Sequence, residues 1–208
     1  MLPGHAKIVK CPHCGDVKKL MTLISGNTFG AEYWSDLKRI APMLPTVSPV
    51  QKCHHCGKYY IEYNQPSEKG EDTSFERGEL TYDEWKEAYL QLSNEELDDE
   101  DAMNLSLWMI HAYNDHYYRE KKREKPSDSD FALFKSNVNK FISRLGDSPG
   151  KAELLREIGE LDSCIETLEK MKNSDAYSEW DDFNKKIIDI IEQKAKNGDT
   201  CVFLIEFD

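Results

Sequence analysis

The chain has 208 residues and a net charge of −12, and 32% of its residues are charged. No apolar run approaches the roughly 20 residues that cross a bilayer, and the N-terminus lacks the apolar region of a signal peptide, so we expect a cytoplasmic protein with no membrane contact. Residues 1–66 hold 8 basic and 4 acidic side chains, a net +4, which leaves −16 for the rest. Because phosphate binding needs a basic face, this charge argues against nucleic acid as the partner.

The first 65 residues predict a β-rich module, because short apolar runs at 21–24, 31–34 and 58–63 are separated by turn-forming segments. Residues 66–79 are polar and predict a linker. After it, apolar residues recur at helical spacing, so residues 80–208 predict an acidic helical domain of five or six helices. The apolar tail at 201–207 predicts a short terminal strand. The expected fold class is therefore α+β.

Several patterns predict where helices begin and end. Thr81 with Glu84 has the spacing of a capping box, and Ser93 with Glu96 repeats it. Asn197-Gly198 predicts the end of the last helix. The cleanest amphipathic stripe consists of Phe131, Phe134, Val138, Phe141 and Leu145.

The stretches CPHCG at 11–15 and CHHCG at 53–57 are two copies of one turn pattern. In each copy, a glycine after the second cysteine permits the positive φ that such a turn needs. Four thiolates form the tetrahedral, soft ligand set that zinc prefers, which predicts one structural Zn²⁺ on Cys11, Cys14, Cys53 and Cys56. The 38 residues between the pairs are no obstacle, because the cost of loop closure grows only with the logarithm of length.

Two alternatives remain open for these cysteines. In the first, the metal has three cysteine ligands and one histidine ligand, taken from His13, His54 and His55. A two-residue spacer between cysteines instead favours histidines that face solvent. Redox chemistry would require a CxxC motif at the start of a helix in a βαβ pattern, which the sequence does not show. Four cysteine ligands leave no open position for water, so the pattern favours structural over catalytic zinc.

The two motifs resemble the zinc-ribbon family, CPxCG followed by CxxCG, over residues 7–63, with a longer insert than the compact form. The resemblance implies a structural metal and, in many members, contact with nucleic acid or a protein. Residues 159–171 resemble the second helix of a tetratricopeptide repeat, which would imply a protein-binding helical surface; an ordinary helical bundle is the alternative. As a whole, the chain resembles bacterial proteins of unknown role that join a zinc ribbon to repeat-like helices. The repeat-like positions are Gly159, Leu161, Cys164, Leu168 and Met171.

The insert between the motifs carries a group of aromatic and basic residues that predicts a binding surface: Phe29, Tyr33, Trp34, Lys38 and Arg39. Such a group can stack on single-stranded nucleic acid, while packing of the aromatic rings in a core is the alternative.

Three classes of function follow from these patterns. The first is a protein-interaction module with structural zinc and an unidentified protein partner, and the second is a nucleic-acid-binding ribbon. The third is an enzyme, because His111 and Asp115 share a helix face and would form an acid–base pair. A surface hydrogen bond explains that pair equally well, and the sequence contains no catalytic motif, so no catalytic residue is predicted.

Overall fold

The computed structural model describes residues 1–46, 48–73, 79–119 and 125–206. Within these ranges the chain forms ten short β-strands and six α-helices. A β-rich N-terminal region, six helices and a short C-terminal strand confirm the predicted α+β class. No helix within the same ranges has the length and apolar character needed to cross a membrane.

The strands are β1 (Leu2–Pro3), β2 (Lys7–Lys10), β3 (Val17–Leu20), β4 (Leu23–Ser25), β5 (Glu32–Trp34), β6 (Arg39–Ile40), β7 (Val50–Lys52), β8 (Tyr59–Ile61), β9 (Ser67–Lys69) and β10 (Leu204–Ile205). The helices are α1 (Tyr82–Leu92), α2 (Asp99–Asn114), α3 (Asp128–Ile142), α4 (Pro149–Glu157), α5 (Leu161–Lys172) and α6 (Asp182–Lys196).

The chain divides into two compact units. The first consists of Met1–Glu32 and Ile40–Ala102, and the second consists of Tyr33–Arg39 and Met103–Asp208. A short segment of the insert therefore belongs to the same unit as most of the helices.

Two β-hairpins of the same plan form the centre of the first unit. β2 pairs antiparallel with β3, and β7 pairs antiparallel with β8. Each hairpin is closed by a six-residue loop, 11–16 or 53–58, that contains one CxxC motif. β9, which lies in the segment predicted as a linker, pairs with the free edge of β2; residues 74–78 of that segment lie outside the described residues.

Helix α1 packs against the second hairpin in this unit. The predicted capping box is confirmed, since Thr81 Oγ1 accepts the Glu84 N–H at 3.3 Å and the Glu84 carboxylate accepts the Thr81 N–H at 3.0 Å. At the other end of the helix, the Gln91 amide accepts the Tyr59 N–H at 3.0 Å and donates to the Tyr59 carbonyl at 2.9 Å. The Gln91 side chain thus gives the backbone N–H and C=O of Tyr59 the two hydrogen bonds that a neighbouring strand would otherwise supply.

The second predicted capping box, Ser93 with Glu96, is wrong. Ser93 is the C-terminal cap of α1, because its N–H still bonds to the Tyr89 carbonyl at 2.9 Å. Helix α2 begins six residues later at Asp99, and Asp98 Oδ1 accepts the Asp101 N–H at 2.8 Å. The local pattern at Ser93 fits a helix start, but the preceding helix extends through it.

In the second unit, α4, α5 and α6 pack against one another, and α3 packs against α4. Phe134, Val138 and Phe141 of the predicted α3 stripe are buried. Gly159, with a φ of +80°, lies between α4 and α5. Helix α6 ends at the predicted Asn197-Gly198 pair: Asn197 is its C-terminal cap, and Gly198 has a φ of +70°.

The segment Tyr33–Arg39 forms a hairpin in this unit, which we call the 33–39 hairpin. Within it the Trp34 N–H donates to the Lys38 carbonyl at 2.8 Å. Its first strand, β5, also pairs with the C-terminal strand β10, so that Trp34 lies opposite Leu204. The predicted terminal strand is confirmed, and its partner is a strand near the beginning of the chain.

Candidate metal centre

The four cysteines of the two CxxC motifs lie together in the first unit. Their Sγ atoms all lie within 4.8 Å of one another. Two sulfur–sulfur contacts join the two hairpins: 3.5 Å between Cys14 and Cys53, and 3.8 Å between Cys11 and Cys56. A disulfide has a sulfur separation of about 2.05 Å, so these are free thiols in contact. Such a cluster can hold a metal ion.

The two loops position their cysteines with the same hydrogen bonds. The Cys11 N–H donates to the Asp16 carbonyl at 2.8 Å, and the Cys53 N–H donates to the Lys58 carbonyl at 2.9 Å. In both loops the glycine N–H donates to the carbonyl of the first cysteine, at 2.9 Å each. Gly15 and Gly57 have φ values of +77° and +73°, a left-handed conformation that side chains disfavour.

The cluster has a buried side and an exposed side. Cys11 and Cys53, the first cysteine of each motif, are buried with Val9, Leu20 and Tyr60. Cys14 and Cys56, the second cysteine of each motif, reach solvent. One half of the cluster is therefore fixed by the small apolar core, and the other half is accessible to an incoming ion.

The thiols differ in acidity because their neighbours differ. The backbone N–H of Lys58 lowers the pKa of Cys56 to about 7. At Cys14 the backbone N–H of Asp16 acts in the same direction, but desolvation and the neighbouring thiols outweigh it and raise the pKa to about 12. Desolvation also raises the pKa of Cys53. Because a metal binds thiolates, it must displace these protons, and its affinity must rise with pH.

No histidine is part of the cluster among the described residues. His54 and His55 are exposed, as the spacer positions predict. The His13 ring lies close by, but its Nε2 atom is 3.1 Å from the Tyr59 carbonyl oxygen, to which it donates in the matching tautomer. His13 Nε2 therefore forms a hydrogen bond between the two hairpins and is not a metal ligand.

The five residues of the predicted binding surface fall in both units. Phe29, in the first unit, is 81% exposed. In the second unit, Tyr33 and Arg39 are exposed. Trp34 lies under the Arg119 guanidinium at 5.2 Å from its ring centre, and Lys38 forms an ion pair with Asp115.

His111 and Asp115 do share a face of the helix, and both bind the 33–39 hairpin. His111 Nε2 lies 3.0 Å from the Asp36 carbonyl oxygen, and Asp115 pairs with Lys38. The two residues thus have separate partners, which accounts for their spacing without an acid–base pair. Residues 115–119 form a single π-helical turn at the end of α2.

The sequence did not predict a group of buried charges next to this hairpin. Asp36 forms a buried ion pair with Arg119. Asn114 donates one hydrogen bond to Asp36 and another to Glu157, each at 2.9 Å. The sequence contains one indication that Glu157 is buried: it follows Leu154 by three residues, which places it on the apolar face of α4.

Comparison of the chain with protein-family models gives no match, and comparisons with curated proteins and with solved structures give none either. The resemblance to zinc ribbons and the resemblance of residues 159–171 to a tetratricopeptide repeat therefore stay predictions from the sequence. What the structure adds is the arrangement of the four cysteines.

Proposed function

We propose that Cys11, Cys14, Cys53 and Cys56 bind one structural Zn²⁺ in a zinc-ribbon-like module. The observation that carries the proposal is the spacing of the sulfur atoms. Tetrahedral zinc with Zn–S bonds of about 2.3 Å requires sulfur separations of about 3.8 Å. Two separations between the hairpins, 3.5 and 3.8 Å, are close to that value, all others are within 4.8 Å, and the four sulfurs come from two matching loops.

The donor set favours a structural role for this metal. Four thiolates complete a tetrahedral shell, so no position is left for a catalytic water. The metal would connect two hairpins that share a small cluster of buried residues: Val9, Cys11, Leu20, Cys53 and Tyr60. A reducing compartment such as the cytoplasm, which we propose as the location, keeps such thiols available for a metal.

The test of the metal assignment is the zinc content of purified variants. Wild type is expected to contain one zinc per chain, and the double variant C53S/C56S is expected to contain none. H54A/H55A is the matched control, because it changes the two residues between the same cysteines and should retain its zinc. Loss of zinc in H54A/H55A, or full zinc in C53S/C56S, would contradict the proposal of four cysteine ligands.

The biological role that we propose is protein interaction through an apolar surface of the first unit. β1 and β4 form a two-stranded sheet whose side chains remain outside the core. Ile24 is 68% exposed, and Phe29, just beyond the end of β4, is 81% exposed. Single exposed apolar residues are common, whereas large apolar side chains that form one exposed patch are typical of a contact surface.

Nucleic-acid binding is less well supported. Of the predicted basic and aromatic residues, Lys38 is paired with Asp115 and Trp34 contacts Arg119. Phosphate or base contacts by these two residues would have to replace contacts that already exist. An acidic chain with a net charge of −12 adds to the electrostatic cost.

The interaction proposal is tested by affinity capture with the intact chain and two variants of the same unit. I24S/F29S removes the proposed surface, and L90S removes a 53% exposed leucine elsewhere in the unit. A specific partner should be lost with I24S/F29S and kept with L90S, while both variants keep their zinc. Retention of the partner by I24S/F29S would refute this surface.

A further inference from the structure

The second unit contains three buried carboxyl groups and two buried guanidinium groups next to one another. Asp36 is 1% exposed, Glu153 is 0% exposed and Glu157 is 4% exposed. The two guanidinium groups belong to Arg119 and Arg156, whose side chains are 5% and 0% exposed. If all five groups were ionised, one negative charge would have no buried cation.

Each guanidinium group is paired with its own buried carboxylate. Arg119 pairs with Asp36. Arg156 donates to Glu153 from both Nε, at 2.8 Å, and Nη2, and its two Nη atoms also bind the backbone carbonyls of Asp199 and Cys201. Glu157 has no cation within hydrogen-bond distance among the described residues, and it is therefore the carboxyl group left over.

Glu157 is held by a single neutral donor. Asn114 Nδ2 gives one N–H to Glu157 Oε2 and the other to Asp36 Oδ2, each at 2.9 Å. Glu157 Oε1 has no hydrogen-bond partner among the described residues. One amide thus joins two carboxyl groups, of which only Asp36 has a counter-ion.

The positive charge that acts on Glu157 is that of Arg156, which lowers the pKa of Glu157, but this guanidinium is paired with Glu153. The other titratable groups around Glu157 add no positive charge. Glu153 and Asp36 are acidic, and Tyr118, from the π-helical turn, would only add negative charge on ionisation. Burial lowers the pKa of His111, which keeps that ring neutral. Burial, with the charges of Glu153 and Asp36, raises the pKa of Glu157 well above its ordinary value.

We propose that Glu157 carries a proton in the folded chain and that this proton is a pH-sensitive latch, because it allows the Asn114 amide to hold α4 and the 33–39 hairpin together. Loss of the proton places a second negative charge on the same amide, beside Asp36. That repulsion weakens the attachment of the hairpin, which carries four residues of the predicted binding surface: Tyr33, Trp34, Lys38 and Arg39. Two of them, Tyr33 and Trp34, pair with β10.

The direction of the pH effect follows from proton binding. A carboxyl group that holds its proton more tightly when folded gives full stability below its ordinary pKa of 4.5, and that stability is lost as the pH rises towards the folded value. Glu157→Gln imitates the protonated acid, since its amide oxygen can still accept from Asn114. E157Q should therefore not lose stability in this way as the pH rises.

The first experiment compares unfolding of the wild-type chain and E157Q from mildly acidic to alkaline pH. The unfolding equilibrium constant of wild type is expected to rise relative to that of E157Q, by up to tenfold per pH unit until the folded pKa is passed. Hydrogen exchange gives the local readout: at the same alkaline pH, the Trp34 and Ser35 amides should be better protected in E157Q. Equal pH dependence of the two proteins would overturn the proposal.

Glu153→Gln is the matched control. Glu153 is equally buried and lies one helical turn before Glu157, but it is paired with Arg156. E153Q should therefore be destabilised at neutral pH, and it should still lose stability as the pH rises, but over a narrower pH range, because the charge of Glu153 no longer raises the pKa of Glu157. If E157Q is destabilised at neutral pH as much as E153Q, Glu157 is an ordinary ionised group and the latch is refuted.

A second measurement decides the matter if either variant fails to fold. The infrared carbonyl band of a neutral carboxylic acid should be present in the folded wild-type chain at neutral pH and should disappear as the pH is raised. Absence of that band at neutral pH would show that Glu157 is ionised, and the proposal would fail.

Discussion

Replacing Gly57 by alanine tests the geometry of the second metal-binding loop. The φ of Gly57 is +73°, and a methyl group there would meet no atom within 4 Å among the described residues. The cost of the substitution is therefore only the backbone strain of a left-handed alanine, about 1 to 2 kcal/mol. Because the loop must take this conformation to bind the metal, the same energy should appear as zinc binding that is about 5 to 30 times weaker.

The assay is competition for zinc between the protein and a chromogenic chelator at fixed pH. Gly146→Ala is the control, because a methyl group there also meets no neighbour and its φ is not in the left-handed region. G146A should bind zinc as the wild-type chain does. If G57A also bound zinc with unchanged affinity, the turn geometry would not matter for the metal, and the argument from two matching loops would be refuted.

Two further predictions concern the stability of the helical part. Arg156→Met leaves the fully buried Glu153 without its partner and should lower the free energy of unfolding by about 3 to 5 kcal/mol, whereas E153L/R156M should recover most of that loss. Urea unfolding followed by circular dichroism measures both, and a double variant no more stable than R156M would contradict the reasoning. Thr81→Ala removes a formed helix cap and should cost about 1 kcal/mol. Ser93→Ala, at the site where the predicted N-terminal capping box does not form, should change stability little in the same assay; equal losses for T81A and S93A would show that the Thr81 capping contact contributes nothing.

The features that the sequence predicts correctly are those that short stretches of chain determine. A CxxCG motif specifies a turn through its own glycine, and the Thr81 cap forms between residues three apart. The prediction of a capping box at Ser93 is wrong for a reason that is also local in sequence. Two overlapping patterns compete there, and the end of α1 prevails over the start of a new helix.

The features that the sequence does not predict depend on residues far apart in the chain. The Gln91 side chain satisfies the backbone of Tyr59, 32 residues away. Asn114 joins Asp36 and Glu157, which are 78 and 43 residues from it. A single sequence does not distinguish these buried polar residues from polar residues that face solvent. Their burial becomes visible only when the elements that cover them are in place.

The pairing of Trp34 with Leu204 has a consequence for the order in which the chain acquires its structure during synthesis. Both CxxC motifs lie within residues 11–56, so the two metal-binding loops are made well before β10. The strand that pairs with β5 is made 170 residues after it, which at about 5 to 20 residues per second means a delay of roughly 10 to 30 s. Throughout that interval one edge of β5 lacks its partner strand, so the nascent chain presents unpaired backbone N–H and C=O groups there.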